Sequence, residues 1–115
     1  MRRGEIRLVD LEPVRGSEAD KTRPVVIVSN DAANRRAENL GRGVVTVVPL
    51  TSNVTRVLPF QVLVDTAGSG LARASKARAE QVRSVAVERV GSRLGRLTPA
   101  QVDALDRALR LHLQL

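Results

Sequence analysis

The chain has 115 residues and no cysteine, which fits one domain with a single core and excludes disulfides and thiolate metal sites. Its 19 basic residues outnumber 12 acidic ones to give a net charge of +7, and 17 of the 19 are arginine, so an anionic partner is expected. One Phe and no Trp or Tyr argue against a binding face built from rows of stacking aromatic rings.

The N-terminal part predicts a strand followed by a long polar loop. Residues 4–11 alternate, with Ile6 and Leu8 on one face and Glu5 and Arg7 on the other, as in a half-exposed strand. Residues 12–22 form a polar loop, and long loops in compact domains are often functional. No apolar run follows the basic start, and no stretch approaches the roughly 20 apolar residues of a membrane helix. We therefore expect no signal peptide, no membrane partner and a cytoplasmic protein.

A continuous β-branched run at residues 24–28 predicts a buried strand with Arg23 at its mouth. Pro24 suits the first residue of a strand and favours extended geometry at Arg23. A guanidinium presented by a rigid strand suits a reacting phosphate. A solvated ion pair with Glu18 or Asp20 explains the residue equally well at this point.

The rest of the chain predicts short strands and two helices. Asn30 or Asp31 caps a short helix through about residue 39, and a terminal helix starts at Thr98 and Pro99 with an apolar stripe extending to Leu115. Further strands are predicted at residues 43–50, 57–64 and 89–97. Residues 75–87 are predicted to form one or two short strands around a turn. This pattern predicts a mainly β, α+β fold in a single domain of residues 1–115: a small, strongly bent antiparallel β-barrel with a short inserted helix and a C-terminal helix.

Several hydrolytic arrangements are excluded by the residue types. The only histidine, His112, lies in the terminal helix, where it is expected to pack against the helix or a dimer partner, so a two-histidine nuclease is impossible. The acidic residues are scattered, so neither a metal nor another cofactor is predicted. What remains is a carboxylate, two guanidiniums and two hydroxyls, on Glu18, Arg23, Arg56, Thr51 and Ser52.

These groups suffice for metal-free cleavage of RNA, in which the 2′-hydroxyl of the sugar is the nucleophile. Arg23 is placed to stabilise the developing oxyanion. An arginine stays protonated at accessible pH, so Glu18 is the easier base.

Six segments resemble, in order, the successive motifs of MazF/PemK toxins. They are residues 2–6, 16–18, 23–30 (Arg-Pro-Val-Val-Ile-Val-Ser-Asn), 48–52 (Val-Pro-Leu-Thr-Ser), 59–60 and 80–84 (Glu-Gln-Val-Arg-Ser). The resemblance implies a homodimeric SH3-like barrel that cuts single-stranded RNA, such as messenger RNA, at short specific sequences without metal. It also implies 2′,3′-cyclic phosphate and 5′-hydroxyl products and silencing by a cognate MazE-like antitoxin.

The resemblance also implies roles for individual residues. Arg23 would be the catalytic arginine, Thr51 its partner at the scissile phosphate, and Glu18 an assisting group. RNA contacts are implied for Arg15, Ser17, Lys21, Ser52, Arg56, Pro59, Phe60, Ser75, Glu80 and Gln81. Residues 53–58 and 66–74 match no motif, so the base preference stays open.

Two other functions remain open. Relatives of the same barrel, the CcdB-like gyrase poisons, act by protein contact through the terminal helix and need no catalytic arginine. A non-catalytic basic barrel that binds RNA or DNA fits the composition equally well. The Arg-Pro and Leu-Thr-Ser motifs favour RNA cleavage over both alternatives.

Overall fold

The computed structural model describes residues 1–11 and 22–115, and within them seven strands and two α-helices. The strands are β1 (Glu5–Asp10), β2 (Thr22–Ile27), β3 (Val44–Thr51), β4 (Gln61–Val64), β5 (Ser75–Arg78), β6 (Arg83–Ala86) and β7 (Val90–Arg96). The helices are α1 (Asp31–Leu40) and α2 (Pro99–Leu113), and two short 3₁₀ turns lie at Ala79–Gln81 and Val87–Arg89. The predicted mainly β fold with one inserted and one terminal helix is confirmed.

Strand β3 is the centre of an antiparallel sheet with the order β4-β5-β3-β2-β1-β7. One edge of β3 pairs with β2, from Val25 opposite Pro49 to Ile27 opposite Val47. Its other edge pairs first with β6 and then with β5, so β5 and β6 act as one strand interrupted by a turn. The pairing path ends at β4 and β7, and among these strands it leaves the sheet open.

Apolar residues lie on both faces of the sheet because side chains alternate along each strand. Val26 of β2 joins a larger cluster that includes Ile6 and Val48 and is covered by α2. Its neighbours Val25 and Ile27 join a smaller cluster on the other face. The run at residues 24–28 is therefore apolar throughout because it is buried on both sides, as predicted.

Helix α1 has a clear start and end. The side chain of Asn30 accepts a hydrogen bond from the Ala33 backbone N–H at 2.8 Å, and Gly41 ends the helix in the left-handed conformation with a φ of 66°. The amino group of Met1 donates to Glu38 of this helix at 2.7 Å and lowers the pKa of that carboxyl. Both predicted ends of the helix are confirmed.

Helix α2 begins at a complete capping box between Thr98 and Gln101. Leu105 and Ala108 are buried, whereas Leu115, at the far end of the predicted apolar stripe, is 85% exposed. The helix packs against β4 and the turn after β5. Within residues 1–11 and 22–115, no helix is long and apolar enough to cross a bilayer.

Strand β4 is shorter than predicted, since it starts at Gln61 rather than at residue 57. The Leu58 N–H donates to the Gln61 side-chain oxygen at 3.0 Å, and the Gln61 N–H donates to the Leu58 carbonyl at 2.9 Å. These two bonds close a turn that contains Pro59 and Phe60. Pro59 thus lies in a turn before the strand and not inside it.

The segment between β4 and β5 is held against β7 by close backbone packing. A Cβ added at Gly95 would lie 2.5 Å from the Gly68 carbonyl oxygen, so only glycine fits there. The Arg96 N–H donates to the same oxygen at 3.2 Å, and the buried Ser69 hydroxyl donates to the Asp65 carbonyl at 2.7 Å. This segment, which matched no motif, therefore has a fixed path that leads to the site described next.

Candidate active site

A cavity of 840 Å³ opens beside the ends of β2 and β3 and the start of β5. Its described lining is basic and polar, with no acidic side chain among the residues placed there. Four arginines line it: Arg23, Arg73, Arg78 and Arg83. Such a lining attracts an anion, because four guanidiniums in one concave surface reinforce one another's potential.

Arg23 and Thr51 both line this cavity. The pairing of Val25 with Pro49, continued two residues towards the strand ends, sets Arg23 beside Thr51. The hydrogen-bonded ladder between β2 and β3 begins only at Val25, consistent with the missing N–H of Pro24. Arg23 is exposed and Thr51 half-buried, so a guanidinium and a hydroxyl meet at one accessible place.

The Thr51 hydroxyl is oriented by the loop that follows β3. Its Oγ1 accepts a hydrogen bond from the Asn53 N–H at 3.3 Å, and the Asn53 side chain accepts one from the Thr55 N–H at 3.3 Å. Lys76, which pairs with Thr51 across the ladder, donates its Nζ to the Arg56 carbonyl at 2.6 Å. Because Oγ1 accepts from the loop, the hydroxyl hydrogen is free to donate into the cavity.

Three of the predicted RNA-binding residues line the cavity, namely Ser52, Ser75 and Gln81. Ser75 is buried at the start of β5, while Ser52 and Gln81 are exposed at its rim. The Ser75 hydroxyl donates to the Arg73 carbonyl at 3.0 Å, which ties this arginine to the start of β5.

Four other predicted RNA contacts in the described part lie outside the cavity: Arg56, Pro59, Phe60 and Glu80. Phe60 lies near His112 of α2, with ring centroids 6.5 Å apart. Glu80 accepts a hydrogen bond from the Gln61 Nε2 at 2.7 Å. For these four residues an RNA contact stays a prediction, made at a surface other than the cavity.

Arg15, Ser17, Glu18 and Lys21 lie outside the described residues. Their predicted roles, including Glu18 as the base, therefore stay predictions from the sequence. Among residues 1–11 and 22–115, no three His, Cys, Asp or Glu side chains are grouped closely enough to hold a metal ion.

Three arginines of the cavity were missed by sequence reasoning: Arg73, Arg78 and Arg83. Arg83 lies inside the motif at residues 80–84, so its charge was visible although no role was given to it. Arg78 follows the alternation of β5, where Ser75 and Ala77 are buried and Lys76 and Arg78 are half-buried. Only the pairing of β5 with β3 brings Arg78 to the cavity, and no local signal reveals that pairing.

A protein-family model described as a PemK-like, MazF-like toxin of type II toxin–antitoxin systems matches residues 2–113. The chain belongs to this PemK/MazF toxin family. The resemblance predicted from the motifs is thus confirmed over nearly the whole chain.

Similar proteins agree with this family assignment. Endoribonuclease MazF9 of Mycobacterium tuberculosis (strain ATCC 25618 / H37Rv) is 57% identical over 115 residues, covering 100% of this chain and 98% of that relative. Endoribonuclease EndoA of Bacillus subtilis (strain 168) is 31% identical over 116 residues, covering 100% and 96%. A solved endoribonuclease in complex with its cognate antitoxin, from a mycobacterial species, superposes with a TM-score of 0.78 at 28% identity, covering 100% of this chain and 96% of that chain.

Proposed function

We propose that this toxin is a sequence-specific, metal-independent endoribonuclease that cleaves single-stranded messenger RNA and thereby inhibits translation. The observation that carries the proposal is the juxtaposition of Arg23 and Thr51 in a cavity lined by four arginines. The similar proteins MazF9 and EndoA, both named endoribonucleases, support the same reaction.

The reaction needs no external nucleophile. The 2′-oxygen attacks the adjacent phosphorus, the bond from phosphorus to the 5′-oxygen breaks, and a 2′,3′-cyclic phosphate and a 5′-hydroxyl result. The protein must accept the 2′-hydroxyl proton, stabilise the added negative charge and help protonate the leaving oxygen. Fixed donors aimed at a developing oxyanion are commonly the largest catalytic contribution, on the order of 3 kcal/mol for one donor.

Arg23 and Thr51 fit the charge-stabilising part of this reaction. The Arg23 guanidinium stays protonated, so we assign it as a donor to the non-bridging phosphate oxygens rather than as a proton acceptor. The Thr51 hydroxyl donates to the same phosphate, since its oxygen already accepts from the Asn53 N–H. We keep Glu18 as the proposed proton acceptor.

We also propose that the toxin acts in the cytoplasm, where messenger RNA is translated, as a homodimer neutralised by a cognate MazE-like antitoxin. The solved mycobacterial relative in complex with its cognate antitoxin supports the antitoxin. Exposed leucines support a second copy: Leu63 on the edge strand β4 is 53% exposed, and Leu111 on α2, which packs against β4, is 57% exposed.

Removal of a single oxygen atom from the substrate, the 2′-oxygen next to the cut site, tests the reaction. An RNA oligonucleotide is incubated with the purified toxin in EDTA, and the cut site is mapped from the 5′-hydroxyl ends. The same oligonucleotide with one 2′-deoxy nucleotide on the 5′ side of that site is the matched control. We expect cleavage of the first and none of the second, because the nucleophile is absent. Equal cleavage of both would overturn the internal-nucleophile reaction, and no cleavage of either would overturn the endoribonuclease assignment.

A further inference from the structure

Arg78 is a guanidinium that the fold itself does not use. It is the last residue of β5 and lies opposite Gln61 of β4. Its side chain lines the cavity and is half-buried, and its Nε is buried without a hydrogen-bond partner among the residues that the structure describes. Burial of a charged donor without a partner is unfavourable, so a group that is retained in this state calls for an explanation.

The other half-buried arginines that the structure describes show the contrast. Arg3 donates its Nε to the Val28 carbonyl at 2.8 Å and pairs with Asp106 at 2.6 Å. Arg7 donates to Glu5 at 3.0 Å and to the Gly91 carbonyl at 3.1 Å. Both arginines therefore connect parts of the fold. No ion pair within residues 1–11 and 22–115 involves Arg78, so its donors are available to a ligand.

The surroundings of Arg78 define the charge of that ligand. Arg73 and Arg83, both exposed, line the same cavity, and the described lining holds no carboxylate. Three guanidiniums close together repel one another unless an anion lies between them. The planar edge of arginine matches the two free oxygens of a phosphodiester.

Arg78 lies on the same face of the sheet as Arg23 but at a distance from it. Leu50 of β3 and Ala77 of β5 pair with each other and both point into the larger apolar cluster. The residues that follow them, Thr51 and Arg78, therefore point to the other face. Since β3 separates β2 from β5, and the register sets Arg23 opposite Thr51 but Arg78 opposite Pro49, their backbones lie about 12 Å apart: two strand spacings across the sheet and two residues along it.

We propose that Arg78, together with Arg73 and Arg83, forms a second phosphate subsite. It holds a backbone phosphate that flanks the scissile phosphate bound by Arg23 and Thr51. This inference rests on the proposed function, because it assumes an RNA strand across the cavity. In this proposal Arg78 binds the RNA strand and aligns it with Arg23 and Thr51, and it takes no part in the chemical step.

The first test measures binding without cleavage. The probe is a fully 2′-O-methylated version of the mapped oligonucleotide, which lacks the nucleophile. Arg78→Leu is compared with Arg36→Leu, which removes the same charge from the exposed surface of α1. We expect Arg78→Leu to bind at least tenfold more weakly, with a slope of log affinity against log salt that is smaller by about 0.7, the loss of one phosphate contact on a single strand. Arg36→Leu should stay within about twofold of the parent.

The second test measures stability, which separates a binding role from a structural one. Because Arg78 has no described partner, Arg78→Leu should unfold at the same or a higher denaturant concentration than the parent. Arg78→Lys is the second variant. It keeps the charge without the planar edge, and we expect intermediate affinity and the salt slope of the parent. A marked loss of stability in both variants would overturn the inference in favour of a structural role.

The third test locates the phosphate. Neutral methylphosphonate linkages replace the phosphates of the probe one at a time. In the parent one flanking position should weaken binding about tenfold, and in Arg78→Leu the same position should cause no further loss. Equal losses for parent and variant at every position, or a lower kcat with unchanged affinity, would overturn the subsite. If the parent cleaves no RNA, the proposed function is overturned, and the same comparison with a 2′-O-methylated oligonucleotide of mixed sequence still tests the subsite by binding alone.

Discussion

The backbone at Arg23 is fixed while its side chain is exposed. In the ladder between β1 and β2, Arg23 pairs with Val9 and the next residue, Pro24, pairs with Leu8. The guanidinium itself is exposed at the cavity. This combination suits a group that must meet a phosphate in one geometry, because little backbone motion has to be arrested when substrate binds.

Thr51 allows a prediction at the scale of one hydroxyl. Thr51→Ala should lower kcat by about tenfold to a hundredfold with little change in affinity, because a donor to the developing oxyanion is lost. Thr51→Ser keeps the hydroxyl and should retain most activity. Cleavage of the mapped oligonucleotide under single-turnover conditions measures both variants.

The matched control is Thr55→Ala in the same loop, where the described hydrogen bond uses the backbone N–H and not the side chain. It should cleave at the parental rate. Equal rates for Thr51→Ala and the parent would remove Thr51 from the reaction.

At the scale of secondary-structure elements, β3 carries the site because it touches three other strands. Its pairing with β2 brings Arg23 to Thr51, and its pairing with β5 brings Arg78 and Lys76 to the same end. The segment that precedes β5 packs closely against β7, and this packing positions Arg73 at the cavity. The site thus depends on the relative positions of β3, β5 and β7.

Gly95 tests that dependence. In Gly95→Ala the new Cβ would meet the Gly68 carbonyl oxygen at 2.5 Å, so the segment carrying Arg73 must move. We expect a loss of about 1–3 kcal/mol in the free energy of unfolding and weaker RNA binding. Chemical denaturation and titration with the 2′-O-methylated probe measure the two effects.

Ser92→Ala, at an exposed position of the same strand, is the control and should change stability by less than about 0.5 kcal/mol. If Gly95→Ala and Ser92→Ala unfold alike, the close packing described for this segment is wrong.

Elements with strong local signals were predictable from the sequence. The apolar run of β2 and the start of α2 were correctly placed because each has a local signal: a continuous apolar run for the strand, and Thr98 followed by Pro99 for the helix. The start of β4 was misplaced because the side chain of Gln61, three residues after Leu58, closes a turn around Pro59. Local propensity contains no information on such a bond.

The candidate site was predictable only in part, because it depends on which strands pair. Arg23 and Thr51 were singled out by motifs, and the register of β2 and β3 brings them together. Arg78 became a candidate only when β5 was seen beside β3, because strand order cannot be derived from one alternating segment. Sequence motifs thus identified residues on both sides of the cavity, Arg23 and Thr51 on one and Ser75 and Gln81 on the other, and the pairing of the strands added Arg78.

At the scale of the whole molecule, exposed leucines allow a prediction about assembly. Leu63 and Leu111 are more than half exposed, which leaves apolar surface that a second copy can cover. Sedimentation at micromolar concentration should give a species of twice the 12.5 kDa chain mass. Leu111→Asp should shift the protein towards the monomer, whereas Arg107→Ala, on the same helix and exposed, should not. A parent that sediments only at 12.5 kDa would reject the homodimer.

The net charge of +7 explains attraction to RNA but not its cleavage, so the account depends on one arginine above the others. The most direct measurement compares Arg23→Ala with Arg36→Ala in EDTA on the mapped oligonucleotide, since both variants lose one exposed arginine. Arg23→Ala should fold as the parent does and cleave on the order of a hundredfold to a thousandfold more slowly, whereas Arg36→Ala should cleave at the parental rate. Parental cleavage by a folded Arg23→Ala variant would contradict the account.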